Sequence, residues 1–134
     1  RAWRVAARPG VIVNIASVAG LKGFATGAGY CASKHGVVGL TRALAAETAR
    51  HGITVNAVCP GYTDDTDMLR TALANVMRDT GQSEQDARAT LSKHSRRGSL
   101  ITPQEVADTV VWVCSPAAGA ITGQAIAVAA GEVM

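Results

Sequence analysis

Two apolar, β-branched runs bracket a stretch with helical periodicity. They are residues 11–16 (VIVNIA) and 53–58 (ITVNAV), and no other feature restricts the fold as strongly. Each run is nearly continuous in apolar side chains rather than alternating. That is the pattern of a strand covered on both faces, as in a parallel sheet. Between them the periodicity predicts a helix from about residue 28 to His51, with Val37, Leu40, Leu44 and Ala45 as its apolar stripe and Gly52 as its stop. A third apolar strand is expected at 125–129 (AIAVA), reached through Ile121-Thr122-Gly123. Strand–helix alternation argues for β-α-β units with right-handed crossovers, hence an α/β fold built on a doubly wound parallel sheet.

The remaining segments fill this frame. Residues 1–8 read as the last turns of a helix stopped by Pro9-Gly10. Residues 17–29, rich in Gly, Ala, Ser and Thr, read as a loop. Helices are expected over 65–79 and 83–94, divided at Gly81, with Ser83 and Asp86 as a weak start signal. Thr102-Pro103-Gln104-Glu105 is a stronger one, opening a helix that runs to about Cys114 and stops before Pro116.

With 48% hydrophobic and 17% charged residues in 134, the chain has enough apolar material for one core and is not a disordered tail. Its formal charge of +3 is too dilute for a nucleic-acid-binding surface. Cys31, Cys59 and Cys114 form no CxxC pair, and His35, His51 and His94 have no metal-ligand spacing. Neither a metal site nor a disulfide framework is expected. Buried reduced thiols in a cytoplasmic protein are. No apolar run reaches membrane-spanning length. The chain begins with Arg1 inside a helical-looking stretch, so it is expected to be a piece of a longer polypeptide.

The chemistry-bearing pair is Tyr30 and Lys34, in the run Tyr30-Cys31-Ala32-Ser33-Lys34. At i and i+4 they share one helix face. A neighbouring ammonium favours the phenolate and is expected to lower the Tyr pKa from about 10 toward the working pH. Such a phenol can exchange a proton with an alcohol or carbonyl oxygen. In open parallel sheets, ligands bind beyond the carboxyl ends of the strands. Ser17 lies just past the first strand and Pro60-Gly61 just past the second, and the Tyr30 helix must start near the same edge. Strand order therefore predicts one crevice shared by Ser17, Tyr30, Lys34, Pro60 and Gly61. The bland alternatives are a solvated Tyr–Lys face and a Ser17 that merely caps its loop.

Val13-Asn14-Ile15-Ala16-Ser17-Val18-Ala19-Gly20, the Tyr30–Lys34 motif thirteen residues after Ser17, Asn56-Ala57-Val58-Cys59-Pro60-Gly61 and Ile121-Thr122-Gly123-Gln124 together resemble the C-terminal half of a short-chain dehydrogenase/reductase. The resemblance implies a single Rossmann-type domain of which 1–134 is the C-terminal part. It implies NAD or NADP as cofactor, with Tyr30 as general acid or base. Lys34 would hold the nicotinamide ribose, and Ser17 would donate to the substrate oxygen. Pro60, Gly61, Tyr62 and Thr63 would wall the nicotinamide. A homo-oligomer, dimer or tetramer, would form through the 30–51 helix. A 3-hydroxyacyl or 3-oxoacyl thioester is the first expectation for substrate; a sugar, a steroid or another cyclic alcohol stays open.

This chain departs from the family pattern in places. The family's cofactor-touching Thr falls at Asp65, leaving Thr66 or Thr63 for that role. The terminal strand reads Ala129-Ala130-Gly131 rather than Asp-Gly-Gly. The Gly-rich phosphate loop is not in this sequence, and a complete domain would need about another hundred residues upstream. The fragment alone is therefore expected to be inactive. Two rival functions stand beside the oxidoreductase: a truncated remnant acting as an interaction module, and an epimerase or dehydratase using the same Tyr–Lys pair. Asn14 and Asn56 are expected to satisfy backbone groups near sheet edges. Gly27, Gly29, Gly36 and Gly39 are expected to permit close packing. The basic cluster Lys93–Arg97 reads either as a phosphate contact for an acyl carrier or as a solvated helix end.

Overall fold

The computed structural model describes residues 9–134; the helix expected over residues 1–8 lies outside them. Three strands, β1 (Gly10–Ile15), β2 (Ile53–Pro60) and β3 (Ala125–Val128), form one parallel sheet in the order β1-β2-β3. Gly10 pairs with Ile53 and Ile15 with Val58; Ala57 pairs with Ala125 and Pro60 with Val128. Four helices connect and flank them: α1 (Ala28–Thr48), α2 (Asp67–Thr80), α3 (Glu84–Ser92) and α4 (Pro103–Val113). The α/β architecture read from the alternation is the one observed.

β2 is the centre of the core. Its Ile53, Val55, Ala57 and Cys59 pack with Val38 and Ala45 of α1. The intervening Asn56 and Val58 are also fully buried, so the strand is covered on both faces. This is why its sequence runs apolar without alternation.

Asn56 corrects an expectation, because it sits in the central strand rather than at a sheet edge. Its Nδ2 donates to the Ile121 carbonyl at 2.8 Å and its Oδ1 accepts from Gln124 N at 3.0 Å, which ties the lead-in of β3 to β2. Asn14 in β1 donates instead to a side chain, Thr41 Oγ1, at 2.9 Å.

The buried stripe of α1 is Cys31, Val38, Thr41, Ala45 and Thr48, and Leu40 is 54% exposed. Of the predicted stripe, Ala45 is buried and Val37 and Leu44 pack partly buried on the core, while Leu40 turns outward. Thr41 and Thr48 can be buried because their hydroxyls donate to Val37 O and Leu44 O one turn back, at 2.8 and 2.7 Å.

The glycine expectation also changes. A Cβ on Gly29, Gly36 or Gly39 would meet open space. The close approach is at Gly20, in the short 3-10 turn Val18–Gly20, where a Cβ would lie 2.7 Å from the Lys34 carbonyl oxygen. Absence of a side chain there lets the end of β1 press against the first turns of α1.

Helix starts follow their sequence signals. Thr102 and Glu105 close a full capping box on α4, with Pro103 at its first position. Ser83 Oγ accepts from Asp86 N and donates to Asp86 Oδ2, so the weaker signal is also used. Cys31 and Cys59 are buried free thiols, whereas Cys114, at the end of α4, is exposed.

Candidate functional site

All eight residues singled out in the sequence line one cavity of about 670 Å³ at the carboxyl ends of the strands: Ser17, Tyr30, Lys34, Pro60, Gly61, Tyr62, Thr63 and Thr66. The topology that brings them together is simple. β1 and β2 are parallel neighbours, and α1 returns the chain so that its first turns open beside the strand ends.

Tyr30 is 41% exposed, and its Oη donates to Met68 Sδ at 3.6 Å. A thioether is a weak acceptor, so an incoming carbonyl oxygen would replace it readily. Lys34 Nζ donates to the Ile15 carbonyl at 3.2 Å and stands 5.6 Å from the centre of the Tyr30 ring. One of its three protons is thus committed to β1, leaving two for a ligand.

Ser17 both caps and stays available. Its Oγ accepts from Ala19 N at 3.1 Å, which caps the 3-10 turn. Its own proton has no acceptor among the described residues and is free to donate into the cavity. Cys59, at the end of β2, is pushed up from the ordinary thiol range by burial, against the opposing pull of a Ser17 backbone hydrogen bond and the Lys34 charge. It remains a neutral thiol in the core beneath the strand ends.

The hydroxyls past β2 are differently disposed. Thr66 is the N-cap of α2: its Oγ1 accepts from Leu69 N at 3.1 Å and donates to Thr63 O at 2.9 Å. Thr63 Oγ1 donates to Gly61 O at 3.1 Å. Both hydroxyl protons therefore shape the turn. Asp65 adopts φ +50° between them. Burial, then the Glu132 and Tyr30 charges, push Tyr62 above the ordinary phenol range.

The cavity also contains residues that periodicity did not mark. Phe24, Ala25 and Thr26 form one wall from the segment expected only to be a loop, and Met68, Leu69 and Val106 supply further apolar lining. The clearest sequence signal for that wall was Phe24, the one phenylalanine in the chain, set in a run of small residues. Of the basic cluster, Arg97 is committed elsewhere. Arg97 binds Glu105 at 2.5 and 3.1 Å and donates to Leu100 O at 3.2 Å. Among the described residues no group of His, Cys, Asp and Glu could hold a metal ion, and no helix is long and apolar enough to cross a membrane.

The family model described as Enoyl-(Acyl carrier protein) reductase matches residues 1–132. The chain belongs to the short-chain dehydrogenase/reductase family. Among its relatives, 2-(S)-hydroxypropyl-CoM dehydrogenase 3 of Xanthobacter autotrophicus is 43% identical over 122 residues, covering 91% of this chain and 46% of that protein. The 3-oxoacyl-(acyl-carrier-protein) reductase FabG of Vibrio harveyi is 38% identical over 127 residues, covering 95% and 47%. In structure the chain is similar to actinorhodin polyketide ketoreductase crystallised with NADPH, with a TM-score of 0.87 and 43% identity over 92% of this chain and 47% of that one. The chain spans about half the length of these family members.

Proposed function

We propose that the protein containing this chain is an NAD(P)-dependent oxidoreductase acting on a hydroxy/oxo substrate, and that residues 1–134 supply the acid–base and substrate side of one Rossmann-type domain. The observation that carries this is the convergence of Tyr30, Lys34 and Ser17 on one cavity at the strand ends.

The donor set fits a nicotinamide riboside. Tyr30 Oη and two uncommitted protons of Lys34 face the same space, as ribose hydroxyls require. Pro60, Gly61, Tyr62 and Thr63 offer a wall for the flat ring. Bound dihydronicotinamide would supply the hydride to the carbonyl carbon. Ser17 donates a hydrogen bond to the carbonyl oxygen, where negative charge grows in the transition state. Tyr30 gives that oxygen its proton, and the phenolate left behind is held by the nearby Lys34 ammonium. In oxidation the same groups run in reverse. Thr66 shapes the turn and reaches the ligand only through its place on the wall.

Apolar lining by Phe24, Met68, Leu69 and Val106 favours an acyl or polyketide chain, so a 3-oxoacyl thioester is the substrate class proposed. The open outer face of α1, with Gly29, Gly36, Gly39 and exposed Leu40, suits a second copy of the chain, which makes a homo-oligomer part of the proposal. The test is to titrate the full-length protein with NADH and NADPH and then add a 3-oxoacyl thioester. Saturable cofactor binding followed by cofactor oxidation is expected. Binding without net oxidation would favour an epimerase, and no binding at all a non-catalytic module.

A further inference from the structure

Glu132 is a carboxylate that the acid–base set leaves unused, and its side chain is 2% exposed. Its Oε1 lies 3.2 Å from Lys22 Nζ and 4.0 Å from His94 Nδ1. No donor among the described residues meets Oε1 with hydrogen-bond alignment, so the contact to Lys22 is ionic. Lys22 Nζ also reaches the Glu132 carbonyl at 3.5 Å and lies 4.9 Å from the centre of the Phe24 ring. A carboxylate removed from water is costly unless a counter-charge stays with it. Lys22 is therefore held in place, and with it the segment that follows β1.

That segment is a wall of the cavity. Phe24 lines it, and the Phe24 ring meets His94 edge-on at 6.4 Å between centres. Tyr62 lines it too and packs on the same His94 at 5.4 Å. Two cavity rings thus rest on one imidazole, and that imidazole and Lys22 both face one buried carboxylate. Residue 132 follows β3, residue 94 follows α3, residue 62 follows β2 and residue 24 follows β1. The cluster joins four otherwise separate chain segments behind the cavity.

We propose that the buried Glu132 carboxylate, together with the partly exposed Lys22 and His94 gathered on it, sets the positions of Phe24 and Tyr62, and through them the width of substrate the cavity accepts. These are positioning residues for specificity, since none of the three lines the cavity. What is selected rests on the reductase reading above; how the wall is held does not.

The test uses the full-length protein with para-fluorophenylalanine placed at position 24. The variants are Lys22→Met, Lys22→Arg, and the double variant Lys22→Met/Glu132→Gln, which folds without leaving a lone buried charge and carries the test if the single variant does not fold. The fluorine resonance is expected to shift and broaden in Lys22→Met and in the double variant, and to return in Lys22→Arg. With 3-oxoacyl thioesters of increasing chain bulk, KM for the bulkiest is expected to rise about tenfold while kcat stays within about twofold, the smallest being unaffected. An unchanged resonance in the double variant overturns the proposal, and so does a shifted resonance with unchanged KM ratios across the series. If the native protein turns over no carbonyl substrate, the reductase reading fails, and the resonance alone decides whether the cluster holds the wall.

Discussion

Lys34 donates its ammonium to the carbonyl of Ile15, 3.2 Å away and nineteen residues earlier in the chain. This bond joins the first turns of α1 to the last residue of β1, and so fixes Lys34 at the side of Tyr30. A methionine at this position keeps the length of the side chain but loses both the bond and the charge. Lys34→Met is expected to lower kcat/KM by at least about a hundredfold and to weaken nicotinamide binding. Steady-state kinetics and cofactor titration of the full-length variant check both. An effect on kcat/KM below about threefold would remove Lys34 from the mechanism.

Gly20 determines how closely those two elements meet. A Cβ there would lie 2.7 Å from the Lys34 carbonyl oxygen and 3.2 Å from Val38 Cγ2. Because the first of these is backbone inside a helix, it cannot step aside cheaply. Gly20→Ala is expected to cost about 1–3 kcal/mol of stability, as overpacking does, and to lower activity by displacing Tyr30 and Lys34 together. Denaturant unfolding checks the first effect and turnover the second.

Ala130 is a residue with a side chain in the left-handed region, at φ +44°. That conformation costs a non-glycine residue about 1–2 kcal/mol, and glycine gives back about 0.4–1 kcal/mol through the unfolded chain. Ala130→Gly is expected to stabilise by a net of about 1 kcal/mol, read as a higher denaturant midpoint at unchanged slope. Its carbonyl still accepts from Arg96 N, so the bond at 2.9 Å is kept.

Glu105 is held well below the ordinary carboxylate value of 4.5, at about 2, first by hydrogen bonds from Arg97 and then by the Thr102 backbone. A carboxyl whose folded value is depressed binds its proton more readily when unfolded. Its contribution to stability is complete above about pH 5 and is lost as pH falls through about 2. Glu105→Gln is expected to flatten the stability–pH profile across that acid window and to leave its shape above it unchanged. Unfolding midpoints across the window for both proteins check this.

β2 was legible because a strand covered on both faces is largely apolar, as ITVNAV is apart from Thr54 and Asn56; VIVNIA reads the same way, although β1 is only half-buried. The cavity residues were legible for a geometric reason. Helical spacing pairs Tyr30 with Lys34, and parallel strand order sends Ser17 and Pro60 to the same edge. On α1, Val37, Leu44 and Ala45 face the core as expected but Leu40 does not, because a period of 3.6 does not fix where the edge of the buried face falls. Thr41 and Thr48 look polar in sequence yet bury by bonding their own helix. Asn56 was placed at an edge because a polar residue in a core strand looks out of place, until Ile121 and Gln124 supply its partners. Glu132 could not have been found at all. Its burial depends on Lys22, 110 positions away, and no local pattern announces a contact of that range.

Tyr30→Phe in the full-length protein tests the central claim most directly, because it removes one oxygen from the cavity and nothing from the core. Turnover is expected to fall by at least about a thousandfold, within the range that a positioned acid–base group supplies, while nicotinamide binding persists and the unfolding midpoint stays unchanged. Near-normal turnover in that variant would contradict the account, for it would mean that the proton reaches the substrate from elsewhere.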